Sequence, residues 1–446
     1  MTDNRPLAGI RVFELSIAVA GPQCGRYLAH FGAEVIRVES RRYPDGTRRG
    51  AHWLRQDTYG PGVWGDTNPT VGEGLAGKRS LDIDLKTPKG AEAAKRLIAK
   101  CDVFLANFSA PAVKGLGLDY ESLRSFKPDI VYALLSGFGA TSSPYYDYLA
   151  WGPNQSPLCG LDDLTGWPDR PPSGIANCAY PDYANAAHMV FAILAALDHR
   201  DRTGRGQLID LSQFEATVSL LGPLLLNHQA NYRIISRLGN RLDWAAPQGV
   251  YPCRGEEKWV ALTVSTETEW RALCHVFEHA EWIEDPRFRS TRNRLDHHDE
   301  LDQLLAVWTC QRTSAEIAEH LQRAGVAAAP VMDGMALAAD EHLQSRDFWI
   351  VADHARFGKD IVTGNPVNLS ETPGRVDRAA PAAGEDNEYV LGEICGYSPA
   401  EIEAMVAEGA VNPMASPETR LKRPYLRWIR HLMPHLPWPE TEYDEP

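Results

Sequence analysis

The sequence lacks paired cysteines, long apolar runs and an excess of basic residues. Its eight cysteines are dispersed, and no two stand at the CxxC spacing of a zinc knuckle. This distribution argues against a disulfide-stapled fold and predicts a reduced, cytoplasmic setting. No run of about 18 apolar residues occurs, so no membrane-spanning helix is expected. The formal net charge of −14 argues against general nucleic-acid binding, which requires a basic surface.

Several catalytic signatures are also missing. Gly72–Arg79 resembles a P-loop, but Arg79 stands where the motif needs Ser or Thr to hold Mg²⁺. The segment also precedes a predicted strand, whereas a P-loop follows one. No G-x-G-x-x-G follows the first predicted strand, and the histidines lack HExxH spacing. We therefore expect no nucleoside-triphosphate site, no classical dinucleotide site and no metal site.

What is present is an alternation of strand and helix patterns. Ile10–Leu15 is a short apolar run, Gln23–Phe31 has helical spacing, and Glu34–Val38 is a second apolar run. Further strands are predicted at Ser80–Leu85, Val103–Asn107, Ile130–Ser136 and Leu208–Leu211, with helices at Pro88–Lys100 and Tyr183–Arg200. Such βαβ units predict an α/β fold, in which a doubly wound, Rossmann-like domain is built on a parallel sheet.

A change in composition near Arg241–Gly249 predicts a second domain. Short strands at Gly249–Cys253 and Lys258–Val264 are followed by helices, which is typical of a small α+β unit. We therefore predict a large domain that begins with residues 1–240, a small domain at 241–340, and a return to the large domain at 341–411. Residues 412–446 lack periodicity and are predicted to form an extended tail.

Seven segments occur in an order that resembles one enzyme family. They are Pro6–Val12 with its continuation to Glu39, Lys78–Lys86, Asp102–Phe108, Leu135–Gly139, Thr203–Gln207, Asp285–Phe288, and Ala324–Val326 with Pro330–Val331. Together they are similar to the class III CoA-transferase family (CaiB/BaiF type), whose members include formyl-CoA transferase. The resemblance covers about residues 6–395 and excludes the tail.

The resemblance implies an activity and an assembly. Members of the family move coenzyme A between an acyl-CoA donor and a carboxylic acid acceptor, with no permanently bound cofactor. Their Rossmann-like domain is made from both ends of the chain, and the small domain is inserted late. Two subunits interlock as a homodimer, and some relatives are heteromers. Neither nucleic acid nor a membrane is an expected partner.

Asp182 occupies the position of the family's nucleophile. It lies twenty-one residues before Thr203, within Tyr180–Asn185. A carboxylate that attacks a thioester forms a mixed anhydride and then an aspartyl-CoA thioester, which divides one exchange into easier steps. A helix predicted to begin near Tyr183 would help to keep Asp182 ionised. The competing interpretation is that an aspartate in front of a helix is simply its N-cap.

The resemblance also implies a set of positions that contact coenzyme A. A ligand with a 3′-phosphate and a diphosphate needs cations and backbone N–H groups. The implied positions are Val19, Ala20, Ile83, Asp84, Leu85, Lys86, Asn107, Phe108, Ser109, Leu135, Ser136, Gly137 and Phe138. The nearest cations are Arg41, Arg42, Arg48 and Lys114; any one of them could instead be a solvated surface charge.

The sequence departs from the family pattern at three cationic positions. Ser40, Gly115 and Ser136 stand where family members carry arginine, arginine and lysine respectively. The glycine-rich loop of the oxalate-using enzyme has no counterpart near Gln248–Glu256. These departures argue against formyl or oxalyl specificity.

Two other functions remain open. The α-methylacyl-CoA racemases resemble the transferases but use a histidine opposite the aspartate, and Tyr146 falls at that position. Because tyrosine has an ordinary pKa of about 10, it is a poor base at neutral pH. Alternatively, the chain could be a non-catalytic subunit of a heteromer, which Asp182 argues against. The apolar stretch Trp151–Asp169 could line an acyl pocket or form a packed surface loop.

Overall fold

The structure of the protein is a computed structural model. It describes residues 3–48, 69–141, 143–175, 179–355, 358–413, 431–434 and 436. Most of the predicted tail therefore lies outside the described residues. The chain divides into two compact units, of which unit 1 comprises residues 1–160, 177–229 and 338–446, and unit 2 comprises residues 161–176 and 230–337.

A six-stranded parallel sheet forms the centre of unit 1. Its strands are β1 (Arg11–Leu15), β2 (Glu34–Glu39), β3 (Arg79–Asp82), β4 (Val103–Ala106), β5 (Val131–Ser136) and β6 (Gln207–Ser212). Their order is β3-β2-β1-β4-β5-β6, and every neighbouring pair is parallel. The predicted α/β fold with a parallel sheet is confirmed, since continuous apolar runs are typical of strands buried on both faces.

Helices cover both faces of this sheet. Those of unit 1 are α1 (Ala20–His30), α2 (Pro69–Leu75), α3 (Pro88–Ile98), α4 (Ala110–Gly115), α5 (Tyr120–Arg124), α6 (Gly152–Leu158), α7 (Tyr180–Thr203), α8 (Gln213–Leu220) and α9 (Gly222–Asn231). Alternate residues of each strand face opposite sides. Phe13 packs in a core that includes α3, whereas Val12 packs in a core built with α1 and α7.

Unit 2 has its own antiparallel sheet and its own core. Strands β7 (Gln248–Pro252), β8 (Trp259–Thr263) and β9 (Ala327–Pro330) pair in that order. The helices that accompany them are α10 (Glu267–Val276), α11 (Thr291–Asp296), α12 (His298–Thr309) and α13 (Ser314–Arg323), with a 3₁₀ turn at Ala280–Ile283. Trp270, Phe277 and Trp308 are buried in this core.

The late part of the chain completes unit 1. Its elements are α14 (Gly334–Ala338, which begins in unit 2), α15 (Glu341–Ser345), the hairpin of β10 (Trp349–His354) and β11 (Gly358–Thr363), a π-helical turn at Tyr389–Ile394, and α16 (Pro399–Ala407). Asp386 accepts a hydrogen bond from the backbone N–H of Ser80, and Asn387 accepts one from that of Asp82. Residues from near the end of the chain thus close the β3 edge of the sheet.

Candidate active site

The carboxyl ends of the parallel strands bring most of the predicted positions to one edge of the sheet. The chain order reverses between β1 and β4, which lie side by side in the sheet. In doubly wound sheets a ligand binds outside the carboxyl ends of the strands, at such a switch point. The predicted positions follow β1, β2, β3, β4 and β5, so they lie on the edge where a ligand is expected.

Asn107 joins the loops that follow β1 and β4. Its Oδ1 accepts a hydrogen bond from Ile17 N at 2.8 Å, and its Nδ2 donates to Ile17 O at 2.8 Å. Gly21, in the first turn of α1, leaves room for this arrangement, because a Cβ there would lie 3.1 Å from Asn107 Cγ. Both polar atoms of the Asn107 amide are therefore hydrogen-bonded within the protein. They link the loop after β1 to the loop after β4 at the switch point.

Asp182 lies in the first turn of α7 and inside the helix. The helix begins at Tyr180, with Pro181 in its first turn, and Ala179 occupies the N-cap position without a side-chain hydrogen bond. The backbone N–H of Asp182 donates to Ala179 O at 2.9 Å. The predicted helix start near Tyr183 is therefore wrong by one turn, and the interpretation of Asp182 as an N-cap is wrong as well.

The Asp182 carboxylate lies against the backbone of Gly152, the first residue of α6. A Cβ built on Gly152 would overlap Asp182 Oδ2 and would lie 3.1 Å from Ala179 Cβ. In the part of the chain that the structure describes, no side chain donates a hydrogen bond or forms an ion pair with this carboxylate. The carboxylate is thus half-buried against Gly152 and has no partner among the described side chains.

Burial raises the pKa of the Asp182 carboxyl from its ordinary value to about 6. The cause is the loss of water around the charged form. The position of Asp182 in the first turn of α7 favours the charged form and burial opposes it, so the carboxyl is still mostly ionised at neutral pH. A carboxylate with a raised pKa is the stronger base and the stronger nucleophile once it has lost its proton.

Four buried polar side chains near Asp182 have atoms without a hydrogen-bond partner among the described residues. They are Ser136 Oγ, Gln155 Oε1, Asn185 Oδ1 and Gln213 Oε1. Gln155 is one helical turn from Gly152, and its Nε2 lies 2.9 Å from the point where a Cβ of Gly137 would be. Asn185 is one turn from Asp182 and donates to Gln213 O at 3.0 Å. Unpaired buried polar atoms are uncommon in proteins and are typical of functional sites.

The predicted coenzyme A positions differ in exposure. Lys86 is exposed, and the partly exposed positions are Val19, Leu85, Asn107, Phe108, Ser109, Gly137 and Phe138. The buried positions are Ala20, Ile83, Asp84, Leu135 and Ser136. Buried positions can contact a ligand only through their backbone, which suits the N–H donors that phosphate groups accept.

The predicted cations fall into two groups. Arg41 pairs with Asp82 at 2.9 Å and donates to Ala383 O, while Arg48 is buried and binds both carboxylate oxygens of Glu39. Their guanidinium groups are held within the protein. Lys114 is exposed at the end of α4.

Arg42 and Lys86 flank an exposed tyrosine. Lys86 Nζ lies 3.9 Å from the centre of the Tyr43 ring, and the Arg42 guanidinium lies 5.8 Å from it. Arg42 also pairs with Asp84 at 3.3 Å, but two thirds of its side chain is exposed. Tyr43 was not predicted from sequence, although it directly follows Arg42, one of the cations predicted near coenzyme A.

The P-loop-like segment contains a buried lysine. Lys78 Nζ donates to Glu14 Oε2 at 2.6 Å and to Pro22 O at 2.7 Å, and both side chains are fully buried. Burial lowers the pKa of Lys78 to about 8. Because Lys78 is buried and paired with Glu14, its ammonium group is held within the protein.

The segment that meets Asp182 contains no titratable side chain. Leu149–Leu158 includes Gly152 and consists of apolar, amide and hydroxyl residues. A racemase needs a second acid–base group opposite the aspartate. Gly152, whose backbone faces Asp182, was not singled out from sequence, and no local pattern marks it. Among the described residues there is also no cluster of His, Cys, Asp and Glu that could hold a metal ion.

Comparison with known proteins identifies relatives of this chain. The family model described as "CoA-transferase family III" matches residues 7–387. A succinyl-CoA–D-citramalate CoA-transferase of Chloroflexus aurantiacus is 32% identical over 91% of this chain and 98% of its own length. A succinate–glutarate CoA-transferase of Agrobacterium fabrum is 32% identical over 88% of this chain and 98% of its own length. The crystal structure of a CAIB/BAIF family protein from Brucella suis superposes with a TM-score of 0.77, at 30% identity, over 88% of this chain and 100% of that one.

Proposed function

The chain belongs to CoA-transferase family III, and on that premise we propose that it transfers coenzyme A through a covalent intermediate on Asp182. The donor is an acyl-CoA thioester and the acceptor is a free carboxylic acid. The observation that carries this proposal is the half-buried carboxylate of Asp182 at the carboxyl edge of the sheet, which has no partner among the described side chains. The family resemblance inferred from the ordered segments is confirmed, while the roles of individual residues stay predictions.

The proposed reaction consists of two mirrored exchanges. The Asp182 carboxylate attacks the thioester carbonyl, which forms a mixed anhydride and expels the CoA thiolate. The thiolate then attacks the aspartyl carbonyl, which forms an aspartyl-CoA thioester and releases the donor acid as its carboxylate. The acceptor carboxylate repeats both steps in reverse, and Asp182 is regenerated. The sequence of steps needs no metal, redox partner or resident cofactor.

The surroundings of Asp182 suit the first attack. A thioester is an activated acyl donor, so a carboxylate is a sufficient nucleophile once it is ionised and freed from water. No described side chain competes for its lone pairs, and Gly152 allows close approach from the α6 side. The amide oxygen of Gln155 and the hydroxyl of Ser136 are buried polar atoms without a hydrogen-bond partner among the described residues.

For coenzyme A itself we propose the carboxyl edge from β1 to β5. The exposed Lys86, Arg42 and Lys114 supply positive charge for its phosphates, and Tyr43 supplies a flat ring beside two of these cations. Arg41 and Arg48 instead act structurally, because their guanidinium groups are already paired with Asp82 and Glu39. In this proposal Lys86, Arg42 and Lys114 take the place of the cations that relatives carry at the positions of Ser40, Gly115 and Ser136.

An interlocked dimer is part of the same proposal. The α7–α9 region carries exposed apolar side chains, namely Phe191, Leu194, Leu220, Leu225 and Leu226, with exposures between 42% and 75%. Helix α9 has no buried residue at all. Exposed apolar side chains of this size are typical of a subunit interface. A second copy, or a related subunit in a heteromer, would cover it.

A reduced intracellular setting agrees with the cysteines. Those in the described residues are free, and most are buried. No helix of the described residues is long and apolar enough to cross a membrane. We propose a cytoplasmic enzyme on the basis of its thiols and its coenzyme A substrate.

Mass spectrometry of a trapped intermediate tests the function directly. The full chain is incubated with succinyl-CoA or acetyl-CoA, digested, and searched for a CoA adduct on the Asp182 peptide that hydroxylamine removes. Asp182→Ala should abolish both the adduct and CoA exchange, whereas Asp198→Ala, an exposed aspartate on the same helix, should retain them. Full exchange in Asp182→Ala contradicts the proposal. Deuterium uptake beside the thioester without exchange between acids supports a racemase instead.

A further inference from the structure

Three stretches of the chain near Asp182 contain no positively charged residue. Residues 130–160, 179–187 and 207–220 include β5, α6, the start of α7, β6 and α8, and none of these residues is Lys, Arg or His. The charged side chains that they do contain, apart from Asp182, are acids: Asp147, Asp210 and Glu215. A second carboxylate on a substrate bound there would lose water without gaining a counter-ion.

An exposed apolar surface leads to Asp182 along the same segment. Tyr148, Leu149 and Trp151 are 56%, 83% and 55% exposed, and the next residue is Gly152, which touches the Asp182 carboxylate. Phe138, at the end of β5, anchors this segment. We call the set of Phe138, Tyr145, Tyr148, Leu149 and Trp151 the aromatic wall.

Ring contacts join Phe138, Tyr145 and Tyr148 of the aromatic wall. The centre of the Phe138 ring lies 5.3 Å from that of Tyr145 and 6.2 Å from that of Tyr148. Tyr145 and Tyr148 are 5.0 Å apart, and Phe214 of α8 packs 6.2 Å from Phe138. Such distances are typical of interacting aromatic pairs. Phe138, Tyr145 and Tyr148 thus pack against one another, while Tyr148, Leu149 and Trp151 are each more than half exposed.

We propose that the carboxylic acid handled by this chain is a monocarboxylic acid with a bulky apolar group, aryl or branched alkyl, which packs on the aromatic wall. This inference rests on the proposed function and names the substrate class of the same site. The carboxyl group of the acid reaches Asp182 past Gly152, and the apolar group extends along Trp151 and Leu149. An acid with a second carboxylate is disfavoured by the lack of cations and by Asp147.

The wall is assigned to substrate because it is continuous with the nucleophile. The separate apolar surface on α7–α9, which includes Leu225 and Leu226, is the one assigned to a second copy of the chain. Both surfaces are apolar, but only the wall ends at the carboxylate that would perform the chemistry. A bulky apolar group on the acid is therefore its matching occupant.

The test compares acceptor acids on the full chain loaded with acetyl-CoA. Formation of acyl-CoA is measured with phenylacetate, isovalerate, succinate, glutarate and propionate. We expect kcat/KM for phenylacetate to exceed that for succinate at least tenfold. Trp151→Ala should lower kcat/KM for phenylacetate about tenfold and that for propionate less than twofold, because propionate is too short to cover the wall. Leu149→Ala, a change at a highly exposed position, should act in the same direction.

The control is Phe126→Ala, which removes an exposed aromatic ring that precedes β5 at the opposite edge of the sheet. This variant should change kcat/KM for neither phenylacetate nor propionate. Equal or better use of succinate by the unmodified protein overturns the inference. Loss of the dimer in Trp151→Ala, measured by light scattering, also overturns it, because the wall would then belong to the interface. If the hydroxylamine-sensitive adduct forms while dicarboxylates are preferred, the inference alone fails. If no acyl-CoA gives an adduct on Asp182, the proposed function fails.

Discussion

The backbone of Gly152 lies directly against the carboxylate of Asp182, so α6 sets how closely anything can approach the proposed nucleophile. The contact joins two helices that are separated by more than twenty residues of chain. It also explains why the carboxylate is shielded from water without being hydrogen-bonded. The position of this single α-carbon is therefore a sensitive point of the site.

Gly152→Ala should lower kcat strongly while leaving the fold intact. The added methyl group would overlap the carboxylate oxygen and force Asp182 into another rotamer. We expect a loss of about 100-fold, as for other misplacements of roughly 1 Å in an active site. Single-turnover kinetics of adduct formation measure it. Gly334→Ala, where a Cβ meets open space, is the matched control and should behave as wild type. A Gly152→Ala variant with normal kcat would contradict the assignment.

The reaction rate should fall at acidic pH with an inflection near pH 6. The ionised form of Asp182 is the nucleophile, and burial raises its pKa to about 6, so the active fraction increases as pH rises through that value. At pH 5 the rate should be roughly one tenth of its plateau, because a group is about 10% ionised one unit below its pKa. The measurement is kcat/KM for acyl-CoA between pH 3.5 and 8.5, because kcat/KM reports the ionisation of the free enzyme. An inflection near the ordinary carboxyl pKa, around 4, would show that the carboxylate is solvated during turnover.

Lys86→Ala should raise the KM for acyl-CoA by about tenfold with little change in kcat. The ammonium group lies over Tyr43 at the proposed phosphate-binding edge, and one charge-assisted hydrogen bond is worth about 1.5–3 kcal/mol. Thioesters of 3′-dephospho-CoA lack the 3′-phosphate, so they test whether Lys86 contacts that group. If it does, wild type and variant should have the same KM for these thioesters. Lys89→Ala, which removes an exposed lysine paired with Glu408, is the control. An equal loss with both thioesters would place the 3′-phosphate elsewhere.

Lys78→Met should destabilise the protein by about 3–5 kcal/mol. The substitution removes the nearer of the two cations that balance the buried Glu14, at 2.6 Å, and leaves only Arg37 at 3.4 Å; a poorly compensated buried charge is costly. Urea unfolding followed by tryptophan fluorescence measures the change. In the double variant Glu14→Gln/Lys78→Met most of the stability should return. If Lys78→Met alone is neutral, Arg37, which lies 3.4 Å from Glu14, is sufficient to balance that carboxylate.

The sheet could be predicted from sequence because each strand is a short, nearly continuous apolar run between turn residues. Val103–Ala106 and Val131–Ser136 are examples, and both are wholly buried. The start of α7 was misplaced because Ala179 gives no capping signal. Pro181 was the available marker, since proline is favoured in the first turn of a helix.

The contacts of the site itself could not be predicted in this way. Gly152 and Asp182 meet only because two helices pack together, and nothing in the local pattern of either residue records it. The same holds for Arg48, whose burial depends on Glu39 at the end of β2. A charged residue is ordinarily exposed, so its pairing inside a protein becomes visible only in three dimensions. The predicted boundaries of the small domain stay a prediction.

The closure of the β3 edge by residues near the end of the chain bears on how the protein is made. Ser80 and Asp386 are 306 residues apart, and Asn412 donates to Asp82 across 330 residues. During synthesis on the ribosome, the first strands emerge long before the segment that covers them. Until about residue 412 has been translated, the edge of the nascent sheet is open to pairing with other chains. Slower translation, or a chaperone that binds the nascent chain, should therefore change the yield of soluble protein more than substitutions on the surface of the folded protein do.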